Sequence, residues 1–240
     1  MEKSIYDTLM ALPLFQGVSR GLLAELIEKT PFHFEKYQDG ETIIETGEPC
    51  SNVCFLVSGE ARVDMPFSNK KVHILETMEA PNVFFPECLY GLNTSYSYNI
   101  KAHGPCGTLR LRKADYLSMV KSDEVFLFNI LNFLSRNSQN MVNNFISLGR
   151  GTIAERLSFL ILSLTHSGSK DIVMAFRRKD ICTMLGVKRT SFFGALDAMK
   201  AEGYIDYNQS EIHILDRNRL NSILKPKDAI EIGVLKAKNL

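Results

Sequence analysis

The chain is short of several things, and each shortage removes a class of protein. Its 240 residues carry a net charge of only +1, so a nucleic-acid footprint has to be a local patch and not a basic molecule. Long hydrophobic runs are missing. The longest, around Phe159 to Leu164, is far too short to span a bilayer, which excludes a membrane partner. Asp7 breaks the N-terminal apolar stretch and no small-residue cleavage site follows, so no secretory signal is expected and the expected compartment is the cytoplasm. The five cysteines are odd in number and irregularly spaced, which fits a reducing compartment better than a disulfide framework. No repeats or low-complexity segments stand out, and the 45% hydrophobic content is that of a folded globular chain.

Catalytic signatures are also absent. The five histidines are scattered singly, with no His-x-His pair and no carboxylate at matching spacing. A cupin-like metal enzyme collects two or three His with a carboxylate, so that alternative is poorly supported. No nucleophile elbow, phosphate-cradling Gly loop or zinc motif occurs. The expectation is a non-enzyme with no resident cofactor and no metal.

What is present is organised around residues 177–203. Ile181, Met184 and Leu185 form one apolar stripe, Gly186-Val187 interrupts it, and Phe192, Leu196 and Met199 form a second. Two short amphipathic helices about a Gly-containing turn make a helix-turn-helix. The second helix opens with Lys188-Arg189-Thr190-Ser191, at the end that enters the major groove in this motif. Arg189 can reach guanine O6 and N7, and Lys188, Thr190 and Ser191 can reach bases or phosphates. Arg177, Arg178 and Lys179 start the first helix, where backbone phosphates would lie. Residues 204–207 and 211–215 read as two strands about Asn208-Gln209-Ser210, a wing. The bland alternative is an ordinary helical hairpin with a solvated basic edge, and a winged helix used for protein contacts only is a further alternative.

Upstream the hydrophobic period changes twice. Ser4 to Leu12 reads as a short helix ended by Pro13, and Ser19 as the N-cap of a helix running to Lys29. Between Phe32 and Arg112 short β-rich runs at 42–44, 53–57, 61–65, 72–75 and 108–111 alternate with glycines, which suggests a β-sandwich or jelly-roll barrel. Leu127, Leu131, Leu134, Ser138, Met141, Phe145 and Leu148 then fall at alternating steps of four and three. That is an a/d seam, favouring a dimerisation helix over a core helix of one globule. A further helix is expected over Thr152–His166 and a strand over Ile172–Phe176. Past Lys225, Lys227, Lys236 and Lys238 alternate with apolar residues: a frayed end, a packing helix or an added DNA contact.

Barrel, long helix and winged helix in that order resemble the Crp/Fnr family of bacterial transcription regulators, up to about Lys225. Leu12-Pro13-Leu14-Phe15, Asp39-Gly40-Glu41 through Thr46-Gly47-Glu48, and Phe55 to Ala61 are similar to the family's barrel entry and strand-turn glycines. The resemblance implies an α+β chain with three parts: a cyclic-nucleotide-binding-like jelly-roll barrel (1–122), a dimerisation helix (123–148) and a winged helix-turn-helix (149–240). It further implies a homodimer on palindromic double-stranded DNA, contact with RNA polymerase, and a small-molecule effector.

Departures from the family pattern bear on that effector. Where cyclic-nucleotide binders carry a Gly-Glu-Leu-Gly turn, this chain has Pro86-Glu87-Cys88-Leu89, and their Arg-Ser pair falls on Tyr96-Ser97. Glu87 and Ser97 survive, but the guanidinium is gone and Pro86 has no N–H, so a cyclic phosphate would lack its counter-charge. The expected effector is not cyclic AMP. Asn137 and Ser138 match positions that touch the base in cyclic-nucleotide binders. They are effector contacts or solvated helix surface. In the recognition helix the family's Glu is Thr190 and its second base-reading Arg is Gly194, which points to a different operator. A redox or gas sensor is the other alternative. It would use Cys50, Cys54, Cys88, Cys106 and Cys182, or a haem on His33, His73 or His103. Buried reduced thiols and structural histidines are the favoured reading.

Overall fold

The computed structural model describes residues 5–67, 71–148, 151–166 and 168–224, with the side chains of 67 and 140–148 outside that description. Helix α1 (Ile5–Ala11) stops short of a 3-10 turn at Pro13–Phe15, and α2 spans Arg20–Lys29. The Ser19 hydroxyl accepts from the Leu22 N–H at 3.3 Å, satisfying one of the donors a helix start leaves free. Leu9, Leu12, Leu14 and Phe15 are fully buried. Phe15 packs edge-on against Phe55 at 5.5 Å and Phe126 at 5.3 Å, so this segment pegs the barrel to the long helix.

Six antiparallel strands follow: β1 (His33–Tyr37), β2 (Thr42–Ile44), β3 (Asn52–Phe67), β4 (Val72–Glu79), β5 (Asn82–Phe84) and β6 (Asn99–Arg112). β3 pairs with β4, β5 and β6, and β6 also with β1 and β2. The runs expected as two strands at 53–57 and 61–65 are one strand. Its register with β6 shifts on both sides of Ser58. Gly59 has φ +75°, and a Cβ there would lie 2.4 Å from the Pro105 carbonyl oxygen, so only glycine fits this bend.

Helix α3 (Lys113–Ser122) leads into α4 (Glu124–Leu148), whose entry is held by the Asp123 side chain accepting from the Val125 N–H at 2.8 Å. Phe126 is buried, while Leu127, Phe128 and Leu131 are 38%, 58% and 48% exposed. The seam therefore begins uncovered within one chain. Met141, Phe145 and Leu148 lie outside the described side chains, and Lys227, Lys236 and Lys238 outside the described residues.

The last unit holds α5 (Ile153–Leu164), β7 (Lys170–Phe176), α6 (Arg178–Leu185), α7 (Arg189–Ala201), β8 (Ile205–Tyr207), β9 (Glu211–Ile214) and α8 (Arg217–Leu224). Thr152 and Glu155 form a reciprocal capping box at the start of α5. The two units share a sheet. β4 pairs with β7 (Val72 with Phe176, Ile74 with Met174), giving the order β1-β6-β3-β4-β7-β9-β8. Sequence alone suggested a barrel and a separate wing; the pairing of residues about a hundred positions apart has no local signature.

Candidate nucleic-acid interface and the turn at 85–89

The helix-turn-helix is built by its glycine and its core. Gly186 ends α6 with φ 64°, a conformation costly for residues with a Cβ, and its N–H returns to the Cys182 and Thr183 carbonyls. Lys188 is the N-cap residue of α7, with extended backbone. Ile181, Phe192, Leu196 and Met199 are buried between the helices and the sheet, and Phe176 meets Phe192 edge-on at 6.0 Å. The Arg156 guanidinium donates to the Leu185 carbonyl at 3.1 Å, fixing the end of α6 to α5.

Burial of that face leaves the other one in solvent. Lys179, Lys188, Arg189, Thr190 and Ser191 are exposed and Arg178 is half-buried. Arg178, Lys179, Lys188 and Arg189 line one groove of about 630 Å³ between α6 and α7. The structure thus brings four of the six residues expected to contact DNA into one groove, with Thr190 and Ser191 exposed next to Arg189 in the first turn of α7. The Lys188 side chain makes no cap hydrogen bond to the first turn of α7, and a helix start flanked by cations suits an anion such as phosphate.

Sequence reasoning missed the residue that orders the arginines. Phe193 lies beneath two guanidinium groups, Arg178 at 5.5 Å and Arg189 at 5.8 Å from its ring centroid. The wing closes the arrangement: Arg178 Nε donates to the Gln209 carbonyl oxygen at 3.1 Å. The Tyr207 hydroxyl donates to Asp197, and Lys200 pairs with Asp206 at 2.5 Å, so the acidic groups near the groove are already engaged. Spacing of Phe193 four residues after Arg189 was the available signal.

The expected effector residues are distributed differently. A 3-10 turn spans Pro86–Leu89, with Glu87 exposed and Pro86 and Leu89 buried. Lys113 donates to the Leu89 carbonyl oxygen and holds the exit of this turn to α3. Phe85, the residue entering the turn, has φ 44° and ψ 55°. Ser97 is exposed, but Tyr96 is 3% exposed, and its hydroxyl donates to the Asn52 carbonyl at 3.3 Å and accepts from Cys50 Sγ at 3.1 Å. Burial raises its pKa. Tyr96 therefore occupies barrel interior, with its hydroxyl bonded to Asn52 and Cys50. Asn137 and Ser138 are exposed on α4.

The cysteines are all free. Burial pushes the Cys54 thiol up to about 12, and burial with the nearby Glu87 carboxylate pushes Cys88 up to about 11. Both are therefore protonated, unreactive thiols at neutral pH. Among the described residues, no three His, Cys, Asp or Glu side chains converge, and no helix is long and apolar enough to cross a membrane.

Comparison with known proteins adds two family models. The cyclic nucleotide-binding domain matches residues 34–123, and the Crp-like helix-turn-helix domain matches residues 155–223. No curated protein matches the chain. Among solved structures, the catabolite activator protein of Thermus thermophilus is similar at 18% identity, covering 88% of this chain and 98% of its own, with a TM-score of 0.50. DNR from Pseudomonas aeruginosa is 21% identical over 93% of this chain and 100% of its own, with a TM-score of 0.45. FixK2 from Bradyrhizobium japonicum is 20% identical over 80% and 97%, with a TM-score of 0.44.

Proposed function

Since the chain belongs to the Crp/Fnr family of transcription regulators, which are DNA-binding proteins and not enzymes, we propose that it binds a palindromic operator as a homodimer. In this reading Arg189 reads a base edge at the start of α7, with Lys188, Thr190 and Ser191 beside it. Arg178 and Lys179 neutralise phosphates. The observation that carries the reading is the pair of guanidinium groups over Phe193, one tied to the wing and one at the tip of the recognition helix.

Support for the homodimer comes from Leu127, Phe128 and Leu131, an exposed apolar run on α4 that a second copy of α4 would cover. A cytoplasmic location and contact with RNA polymerase complete the proposal.

The effector is proposed to be a molecule other than cyclic AMP, held near the 85–89 turn by Glu87 and Ser97, with Asn137 and Ser138 at the edge of the site. Three facts weigh against a cyclic phosphate there. Pro86 offers no N–H, no arginine stands at 96, and the Tyr96 hydroxyl is committed inside the barrel. A melt with saturating cyclic AMP tests this: a ligand at a hundred times its Kd stabilises by about 2.7 kcal/mol, and such a rise would overturn the reading.

The test of DNA reading is selection of a duplex from a random pool, followed by titration with Arg189→Ala. Loss of roughly 1–3 kcal/mol on the selected site, with relaxed preference at one base pair, is expected. Equal losses on every sequence would remove Arg189 from base reading.

A further inference from the structure

The entry of the 85–89 turn touches the DNA-binding unit through one aromatic side chain. Phe85 is 2% exposed. Its ring stacks on Tyr98 at 4.0 Å on one side and meets the His166 ring edge-on at 4.9 Å on the other. Its backbone is left-handed, a conformation unfavourable for a residue with a Cβ that persists only where the surroundings over-determine it. His166 sits where the chain leaves α5 for β7, and its partner lies in the other unit. Glu76 of β4 is fully buried, with one carboxylate oxygen 2.8 Å from His166 Nδ1 and the other accepting the His166 backbone N–H at 2.9 Å. The far side is tied as well, because Arg217 at the start of α8 donates to the Leu162 and Thr165 carbonyls at 3.1 and 2.7 Å.

We propose that Phe85, His166 and Glu76 form a joint that passes the state of the 85–89 turn to the DNA-binding unit. In the arrangement seen, Phe85 and Glu76 hold the chain entering β7 against β4, and the sheet runs unbroken from barrel to wing. A ligand that draws the turn away from Tyr98 lets Phe85 leave its left-handed conformation. His166 then loses its ring contact and the β4–β7 pairing loosens, which frees the recognition helix to reorient. The three are positioning residues and none touches DNA. The regulatory meaning rests on the proposal that the effector acts at this turn.

Hydrogen exchange on the full-length protein tests the joint without effector or DNA. Phe85→Ala and His166→Asn should each speed exchange of the β7 amides of 172–176 by about tenfold and leave the β6 amides of 106–111 unchanged. The double variant should add little to His166→Asn alone, because that substitution already removes the ring contact with Phe85 along with the Glu76 contact. Additive effects, unchanged β7 exchange, or equal loosening of β6 would overturn the proposal. If Phe85→Ala does not fold, Phe85→Leu and Glu76→Gln answer the same question. A β7 response in a protein that selects no operator would retire the DNA reading and keep the joint. Operator binding without a β7 response would do the reverse.

Discussion

Arg178 and Gln209 join the first helix of the helix-turn-helix to the tip of the wing through a 3.1 Å bond from guanidinium Nε to carbonyl oxygen. One nitrogen of the guanidinium is thereby used within the protein, and the group keeps its full positive charge. Such a residue suits a phosphate better than a base, since its orientation is set by the wing and not by a base edge. Arg178→Ala should weaken binding on all duplexes alike and reduce the salt slope of log K by about 0.9. Anisotropy titrations across a salt series read this directly, and a loss confined to one sequence would contradict it.

The exposed apolar run on α4 makes a different prediction. Leu131→Asp places a charge on a face that is solvated in one chain and covered in a dimer. Sedimentation should show a shift to monomer, with circular dichroism unchanged because Leu131 is 48% exposed and contributes little to its own core. Loss of the folded signal would instead mean that Leu131 supports the monomer.

Two glycines should respond to alanine in opposite ways. At Gly59 the positive φ and the 2.4 Å approach to the Pro105 oxygen leave no room, so Gly59→Ala should destabilise by well over about 1 kcal/mol. Gly194 lies inside α7 with nothing within 4 Å of an added Cβ, and Gly194→Ala should stabilise by up to about 1 kcal/mol through helix propensity. Urea denaturation of both variants gives the two signs.

Stability should depend on pH through the buried Glu76–His166 pair. Burial pushes the Glu76 carboxyl up, but the hydrogen bonds and charge of His166 more than offset this and hold it below its ordinary 4.5. Burial pushes His166 down, and Glu76, with Glu87 adding, holds it above its ordinary 6.5 against the opposing charge of Arg217. The Glu76 contribution is present above 4.5 and lost as pH falls through its depressed folded value. The His166 contribution is present below 6.5 and lost as pH rises through its raised folded value. The difference in melting temperature between wild type and Glu76→Gln should therefore be largest between those two ordinary values and shrink on either side. A difference that grew steadily with pH would show that His166 is neutral in the fold.

The features read correctly from the chain are those set by a few neighbouring residues. Ser19 before an apolar-periodic run and Gly186 between two helical stripes each satisfy or terminate helix ends locally. The exposed basic starts of α6 and α7 were legible for the same reason, since Arg178 to Arg189 are twelve consecutive residues.

What the sequence by itself determined is the succession of β-rich region, long helix and winged helix, and the solvent face of α7, because periodicity and capping act over one or two helical turns. Only the tertiary structure decided that Gly59 bends one long strand, that Tyr96 turns inward to Asn52, that Phe193 carries both arginines, and that β4 pairs with β7. Each of those depends on which distant backbone groups and rings meet when the sheet closes, and local residue preferences carry no information about that meeting.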